Sequence, residues 1–305
     1  MKIQNWVKLG LIIRPKKKKW NLTHCMLPTP IKLTENKFKI FFGSRNDKNQ
    51  SSIGSVDILF KKKGFKVLNY SKKAHLKPGN LGHFDDNGVL PSSIIKKGSK
   101  TLLYYIGWQP RVTTRYSLIA GLSVSSDGIN FKRFSNSPIL KTNNSEPISI
   151  LTAPHVIKHK KKYFMWYVSG IKWKTKDYPL YNIKLAISKD GFKWVQTKKV
   201  CINLKKNERA IARPFVIFKN KKFRMWYSYE KKVGQYKIGY AESLNGKDWK
   251  RFDNKININT KENYENEMRA YSCIITLKQR IFMLYNGDNY GEKGILLAEL
   301  KDNYC

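Results

Sequence analysis

The chain has 305 residues, with 60 Lys and Arg against 21 Asp and Glu, for a formal net charge of +39. Hydrophobic residues make up 41% of it and aromatics 13%, which excludes a disordered, collagen-like or disulfide-scaffold chain and leaves ample material for a core. Cys25, Cys201, Cys273 and Cys305 are too scattered for a CxxC pair or a metal-ligand spacing, and no apolar run approaches the roughly 20 residues of a membrane span, so a cytoplasmic protein with free thiols is expected.

Residues 1–22 precede any repeat and are expected to help close a ring. From Thr23 onward a unit of about 60 residues recurs. Pro28 precedes an apolar run, and Ile40-Phe41-Phe42 follows. Pro91 stands in the same relation to Leu103-Tyr104-Tyr105, Pro154 to Met165-Trp166-Tyr167, and Pro214 to Met225-Trp226-Tyr227. Ser272 takes the proline's place before Met283-Leu284-Tyr285. A third marker closes the middle units: Asp127-Gly128, Asp190-Gly191 and Asn245-Gly246. These dipeptides read as type I′ hairpin turns, in which both central residues need φ > 0. Each unit parses into four strands; in the fourth unit these are 215–218, 223–229, 236–243 and a last strand carrying Trp249. No segment sustains a helical period. The expectation is an all-β, five-bladed β-propeller over residues 23–305, with four antiparallel strands per blade. Its long loops are expected to carry function on one face.

The starts of the innermost strands converge in such a fold, so the polar residues just before each marker are the site candidates. They are His24; Asp85 and Asp86; Glu146, Thr152 and the nearby His155; Glu208, Arg209 and Arg213; and Glu265, Glu267, Arg269 and Tyr271. Arg45 and Asp47 follow the aromatic strand of the first unit and reach the same mouth. Glycoside chemistry needs two carboxylic groups flanking the scissile bond. By position, Asp86, Glu208 and Glu267 are the catalytic candidates, with Asp86 and Glu267 as the acid/base pair and Glu208 tuning a pKa by like charge. Salt bridges to Arg209, Arg213 and Arg269, or capping of strand-connecting loops, are the structural alternatives for the same acids. His24, Arg45, Asp47, Asp85, Trp108, His155, Arg213 and Tyr271 are the substrate-binding candidates. Arg45 and Arg213 suit bidentate recognition of a phosphate or sugar carboxylate. Trp108, with Trp173 and Tyr181, offers a face for stacking on a sugar ring or, equally, packing between blades.

No cofactor is implied by these residues; His24, His155 and a carboxylate would form a facial metal set, but no local ligand spacing supports one, so no metal is expected. The lysines are spread through loops around 16–19, 61–63 and 158–162, which reads as a solvated Lys-rich surface. No helix-turn-helix, zinc-finger or RNA-recognition signature accompanies the charge, so nucleic acid is not an expected partner. The field favours an anionic ligand, and peripheral contact with an anionic membrane face stays open.

Several stretches are similar to known proteins: Thr23-His24 through Pro28-Thr29-Pro30, Gly43-Ser44-Arg45-Asn46-Asp47, Phe84-Asp85-Asp86-Asn87-Gly88, Thr152-Ala153-Pro154, Ala210-Ile211-Ala212-Arg213-Pro214, Glu267-Met268 and Tyr285-Asn286-Gly287. They resemble the five-bladed propellers of glycoside hydrolase families 43, 32, 62, 68 and 130. More closely they resemble uncharacterised propellers encoded among bacterial surface-polysaccharide biosynthesis genes. The resemblance implies a carbohydrate-active enzyme, glycosidase-like or glycosyl-transferring, on a sugar or nucleotide-sugar intermediate. It equally admits a non-catalytic sugar-binding or scaffold propeller. One departure supports the second: the hydrolases place a general base at the start of the first inner strand, where this chain reads His24-Cys25-Met26-Leu27 without a carboxylate.

Overall fold

A computed structural model describes residues 2–258 and 263–301; Cys305 lies outside them. The described chain is all-β apart from a 3-10 turn at Asp253–Lys255 and a four-residue turn at Asp288–Gly291. A first strand, β1 (Gln4–Ile13), is followed by antiparallel meanders. The first consists of β2 (Thr23–Lys32), β3 (Lys37–Arg45), β4 (Ser51–Phe60) and β5 (Phe65–Tyr70). The next consists of β6 (Gly88–Lys97), β7 (Lys100–Pro110), β8 (Tyr116–Ser125) and β9 (Lys132–Arg133). Then come β10 (Ile150–His159), β11 (Lys162–Trp173), β12 (Pro179–Ser188) and β13 (Val195–Ile202). A further meander holds β14 (Ala210–Lys219), β15 (Lys222–Glu230), β16 (Lys237–Ser243) and β17 (Lys250–Arg251). After the short β18 (Ile256–Ile258), the chain ends in β19 (Ala270–Thr276), β20 (Ile281–Asn286) and β21 (Ile295–Leu300). The fourth partner of that last meander comes from the other terminus: β1 runs antiparallel to β21, with Trp6 opposite Leu300 and Ile13 opposite Ile295.

The apolar core is laminated between successive meanders. Phe41 and Ile53 pack with Val89, Leu103 and Tyr105; Leu102 and Tyr104 with Val156, Met165 and Tyr167; Trp166 and Ile183 with Val216, Met225 and Tyr227. The last meander closes on the first through Phe282 against Phe60, ring centroids 4.5 Å apart. A sheet buried on both faces needs apolar residues at successive positions, which is why Leu102 to Ile106 are all buried instead of alternating. Each large side chain so buried contributes roughly 1.5–3 kcal/mol.

The turns differ from the type I′ expectation. Gly128, Gly191 and Gly246 have φ of 70°, 79° and 72°, but none of the preceding Asp127, Asp190 or Asn245 is left-handed. The acid works through its side chain instead: Asp127 Oδ1 accepts the amides of Ile129 and Asn130, each at 2.8 Å, and Asp190 Oδ1 those of Phe192 and Lys193. These are capped turns in which only glycine needs the left-handed region. A pair of left-handed residues occurs in the β14–β15 hairpin, at Asn220 and Lys221.

The proline markers sit at β-bulges. Pairing slips between Thr152 and His155, between Ala212 and Phe215, and between Ala270 and Cys273. A bulge leaves a backbone N–H outside the ladder, so proline is tolerated there. The residue before the marker is left-handed in four strands: Leu27, Ala153, Arg213 and Tyr271, with φ of 46–58°. Such backbone is strained for a side chain with a Cβ. Here the bulge re-aims that residue.

Candidate functional site

The four re-aimed residues point into one cavity of about 290 Å³ at the starts of the first strands. Arg45 from the end of β3, Trp108 from β7, Arg209, and Tyr290 from the Asp288–Gly291 turn also line it. Tyr116 and Tyr181 from the third strands β8 and β12, and Tyr236 just ahead of β16, line it too. Asn289 and Tyr290 are both left-handed, at 51° and 60°, adding a further strained pair at the rim.

Arginines dominate the electrostatics. Arg213 is fully buried. Its guanidinium donates to the Ser92 carbonyl, to the Pro28 carbonyl at 3.0 Å and to Thr29 Oγ1 at 2.9 Å, while its Nε has no partner. All its acceptors are neutral, and burial pulls it down to about 10. The half-buried Arg45 guanidinium makes no hydrogen bond or ion pair among the described residues. Burial lowers it as well. Arg209 is neutralised by the buried Glu230, and Arg115 stands 3.8 Å from Asp177 at the exposed rim. Both candidate histidines are held neutral: burial, and then Arg45, lowers His24 to about 4, while burial, and then Arg213, lowers His155 to about 3. Of the four arginines that line the cavity, Arg45 and Arg213 have no carboxylate on them among the described residues. Tyr181 and Tyr236 meet hydroxyl to hydroxyl at 2.5 Å, and burial pushes both well above the ordinary phenol range. They keep their protons at neutral pH and serve as hydrogen-bonding groups.

Of the expected substrate contacts, Arg45, Trp108, Arg213 and Tyr271 line this cavity. His24 lies beside Arg45, its Nδ1 2.9 Å from Thr23 Oγ1. His155 is buried under the floor, with Nε2 donating to the Val216 carbonyl at 2.9 Å and its ring against Phe215. Asp47 is exposed in a turn and accepts the Lys48 amide at 3.1 Å. None of the three catalytic candidates is brought to the cavity wall. Asp86 Oδ2 accepts the Gly82 amide at 2.9 Å and caps a turn. Glu208 is held by Arg251 through two bonds of 2.8 Å. Glu267 is exposed, bonded to Gln235 Nε2 at 2.7 Å, at a separate cavity beside β16 and β18.

Other scarce acids follow a pattern. The last aromatic of the repeat marker bonds a buried or, at Asp253, half-buried acid that also holds a cation. Tyr105 donates to Asp85 at 2.9 Å, with Arg133 Nε at 2.8 Å. Tyr167 donates to Glu146 at 2.9 Å, with Lys184 at 3.4 Å. Tyr227 donates to Asp253, with Arg251 Nε at 3.1 Å. Tyr285 donates to Glu265 at 3.0 Å, with Arg269 Nε at 3.0 Å. The first meander has Phe42 at that place, which cannot make such a bond, and its buried acid, Asp57, pairs with Lys37 and Lys39 instead. Asp85 is thus a buried tie under its own meander, with Oδ2 engaged by both partners. Sequence reasoning missed Tyr116, Tyr236, Tyr290 and Arg115 as wall residues. Aligning the starts of the third strands would have found Tyr116 and Tyr236, since one opens β8 and the other directly precedes β16.

No protein-family profile matches the chain. It is 35% identical over 303 residues to the uncharacterized protein Rv1502 of Mycobacterium tuberculosis, covering 97% of this chain and 99% of that one. Among solved structures, a glycoside hydrolase superposes with a TM-score of 0.76 at 15% identity, over 99% of this chain and 93% of the other. A thermostable family-43 glycoside hydrolase gives 0.68 at 15% identity, over 96% and 94%. A mutant of the Bombyx mori GH32 beta-fructofuranosidase BmSUC1, in complex with sucrose, gives 0.62 at 16% identity, over 91% and 61%. At such identities the likeness is one of fold, and the fold is the glycoside-hydrolase type of propeller. The chain belongs to the family of the mycobacterial protein Rv1502, built on that fold.

Proposed function

We propose that this protein is a carbohydrate-binding, five-bladed propeller of surface-polysaccharide synthesis, closed by the pairing of its N-terminal strand with its C-terminal one. Its cavity seats an anionic sugar: a sugar phosphate, a nucleotide sugar or a uronate. The observation that carries the reading is the Arg45 guanidinium, without a hydrogen-bond or ion-pair partner among the described residues, on the wall of a cavity whose other uncompensated cation, Arg213, is bonded only to neutral oxygens. Buried charge without a counter-charge is costly, and an anionic ligand supplies it. The anionic group sits on Arg45, the field of Arg213 reinforces it, and Trp108, Tyr271 and Tyr290 take the apolar faces of the ring. The beta-fructofuranosidase held with sucrose supports a sugar as ligand on this fold. The buried free thiols of Cys25, Cys201 and Cys273 fit a cytoplasmic location. The pathway rests on the sequence resemblance alone.

Binding calorimetry with a panel of neutral sugars, uronates, sugar phosphates and nucleotide sugars tests this. An anionic member should bind, and Arg45→Ala should weaken it about 10- to 100-fold, the range for a charged hydrogen bond. Equal affinity for neutral sugars, or an unaffected Arg45→Ala, would sink the idea. A glycosidase-like activity is the second reading, favoured by the shared fold, with Asp86, Glu208 and Glu267 as its carboxylates. It requires Glu208 to leave Arg251 and Asp86 to leave its turn.

A further inference from the structure

The strands that open on the cavity end, some ten residues later, in hairpins at the far end of the molecule. A strand advances about 3.3 Å per residue, so the two ends are about 30 Å apart. Contacts tie these distant hairpins into one surface. Lys278 in the β19–β20 hairpin is 3.6 Å from Glu35 in the β2–β3 hairpin. His159 in β10–β11 meets Phe218 in β14–β15 edge to face, centroids 4.4 Å apart. Lys97 of β6–β7 reaches the Asp190 carbonyl in the β12–β13 turn at 2.5 Å. Arg280 donates to the carbonyls of Lys61 and Lys62 in the β4–β5 turn.

Lysines that are scattered in the sequence therefore gather. Each of these hairpins exposes cations, among them Lys32, Lys100, Lys160, Lys161, Lys221 and Lys278. Glu35 is the sole acid in the first-to-second-strand hairpins among the described residues. The acids of the outer turns at this end are engaged, Asp127 and Asp190 by their own backbone amides and Asp248 by Lys199. On the strands nearby, Asp57, Glu242 and Glu299 are paired with Lys37, Lys222 and Arg280. Asp47, Asp86, Glu208, Glu267, Asp288 and Glu292 lie at the other, cavity end. Exposed apolar tips stand among the lysines: Leu33, Ile129, Phe218 and Leu244. Cationic rings with protruding Leu and Phe match a bilayer interface, where the apolar tip enters the headgroup boundary and the lysines meet anionic lipid. A soluble polyanion has no use for the tips.

We propose that this hairpin end docks on an anionic bilayer and presents the cavity away from it. The test is co-sedimentation of the full chain with phosphatidylcholine vesicles, with and without phosphatidylglycerol. The protein should pellet only with phosphatidylglycerol present, and less as salt rises. Lys160→Asn, Lys161→Gln and Lys221→Asn together should weaken this roughly 100-fold, about five-fold per lysine. Asparagine suits the left-handed backbone of Lys160 and Lys221, so the fold and the affinity of the cavity should be unchanged. Leu33→Ser with Leu244→Ser should weaken vesicle binding several-fold without altering its salt dependence. Failure to pellet with anionic vesicles overturns the proposal. So does heparin binding as tight as vesicle binding, with the serine variants behaving as wild type, which would identify a polyanion face.

Discussion

The two ends of this molecule are built from the same strands and obey different rules. At the hairpin end the ladder is regular: Val156, Ile157, Lys158 and His159 face Met165, Phe164, Tyr163 and Lys162 in unbroken register. At the cavity end the same strands slip register, and Leu27, Ala153, Arg213 and Tyr271 sit in left-handed backbone. The difference teaches that the regular half sets the frame and the irregular half aims side chains. Strain of this kind persists only where surrounding contacts hold it. At the mouth those contacts include the Leu27 amide on Asn286, the Tyr271 amide on Ser228 and the hydrogen bonds of Arg213, which bridges three meanders through Pro28, Thr29 and Ser92.

Breaking that bridge has the largest expected effect. Arg213→Met removes the donors from two buried carbonyls and a hydroxyl. Each stranded acceptor costs about 1–3 kcal/mol, offset in part by removing a buried charge. The expected loss is about 3 kcal/mol, read as a shift in the urea midpoint. A loss below about 1 kcal/mol would mean that Arg213 is kept for the ligand and that the mouth holds its strain by other contacts.

The next largest effect is on pH dependence. His155 has a folded pKa of about 3 against an ordinary 6.5. The fold binds the neutral ring, so this contribution is fully present above pH 6.5 and is lost as pH falls toward 3. Between about pH 6.5 and 5, ahead of most carboxylate titration, stability should fall by up to about 1.4 kcal/mol per pH unit. His155→Gln, which can still donate toward Val216, should flatten that slope. An unchanged slope would place the titration elsewhere, His24 being the first suspect because it too is lowered, to about 4.

A smaller effect probes the frame. Tyr167→Phe removes one bond to the buried Glu146, which keeps Ser169 at 2.6 Å, Gln196 at 2.7 Å and Lys184. The expected loss is about 1 kcal/mol, with ligand affinity intact. A change in affinity would mean that the tyrosine–acid ties reach the cavity and that frame and mouth are not separable.

How much of this was legible depends on whether a feature is local. The Asp-Gly turns are readable because an aspartate side chain and a glycine act within a few residues, although the left-handed pair belongs to Asn220 and Lys221 and not to those dipeptides. The repeat is readable because Tyr105, Tyr167, Tyr227 and Tyr285 recur 62, 60 and 58 residues apart. The bulges are visible only as proline markers, since the slip that turns Arg213 inward depends on β15. The partners of the acids are not readable: Asp85 meets Arg133, and Glu208 meets Arg251, across long stretches of chain. Proximity to a strand start does not say which of a carboxylate's neighbours reaches it first. The gathering of the lysines is hidden for the same reason, because adjacency of the hairpins is a property of how the meanders pack.

The smallest expected effect is also the sharpest test of the cavity's chemistry. Asp86→Asn and Glu267→Gln change carboxylates that lie off the cavity wall, one capping a turn at Gly82 and one on Gln235. If the mouth works through Arg45 and its aromatics, both variants should bind the anionic sugar within about two-fold of wild type, roughly less than 0.5 kcal/mol. Loss of turnover of a glycoside in either variant, with binding retained, would show that these carboxylates reach a bound substrate and that the mouth catalyses. That outcome would make Asp86 or Glu267 a reacting group and Arg45 the group that positions the sugar for it. Unchanged binding without turnover in wild type would leave the arginines, not the acids, as the residues for which the mouth is built.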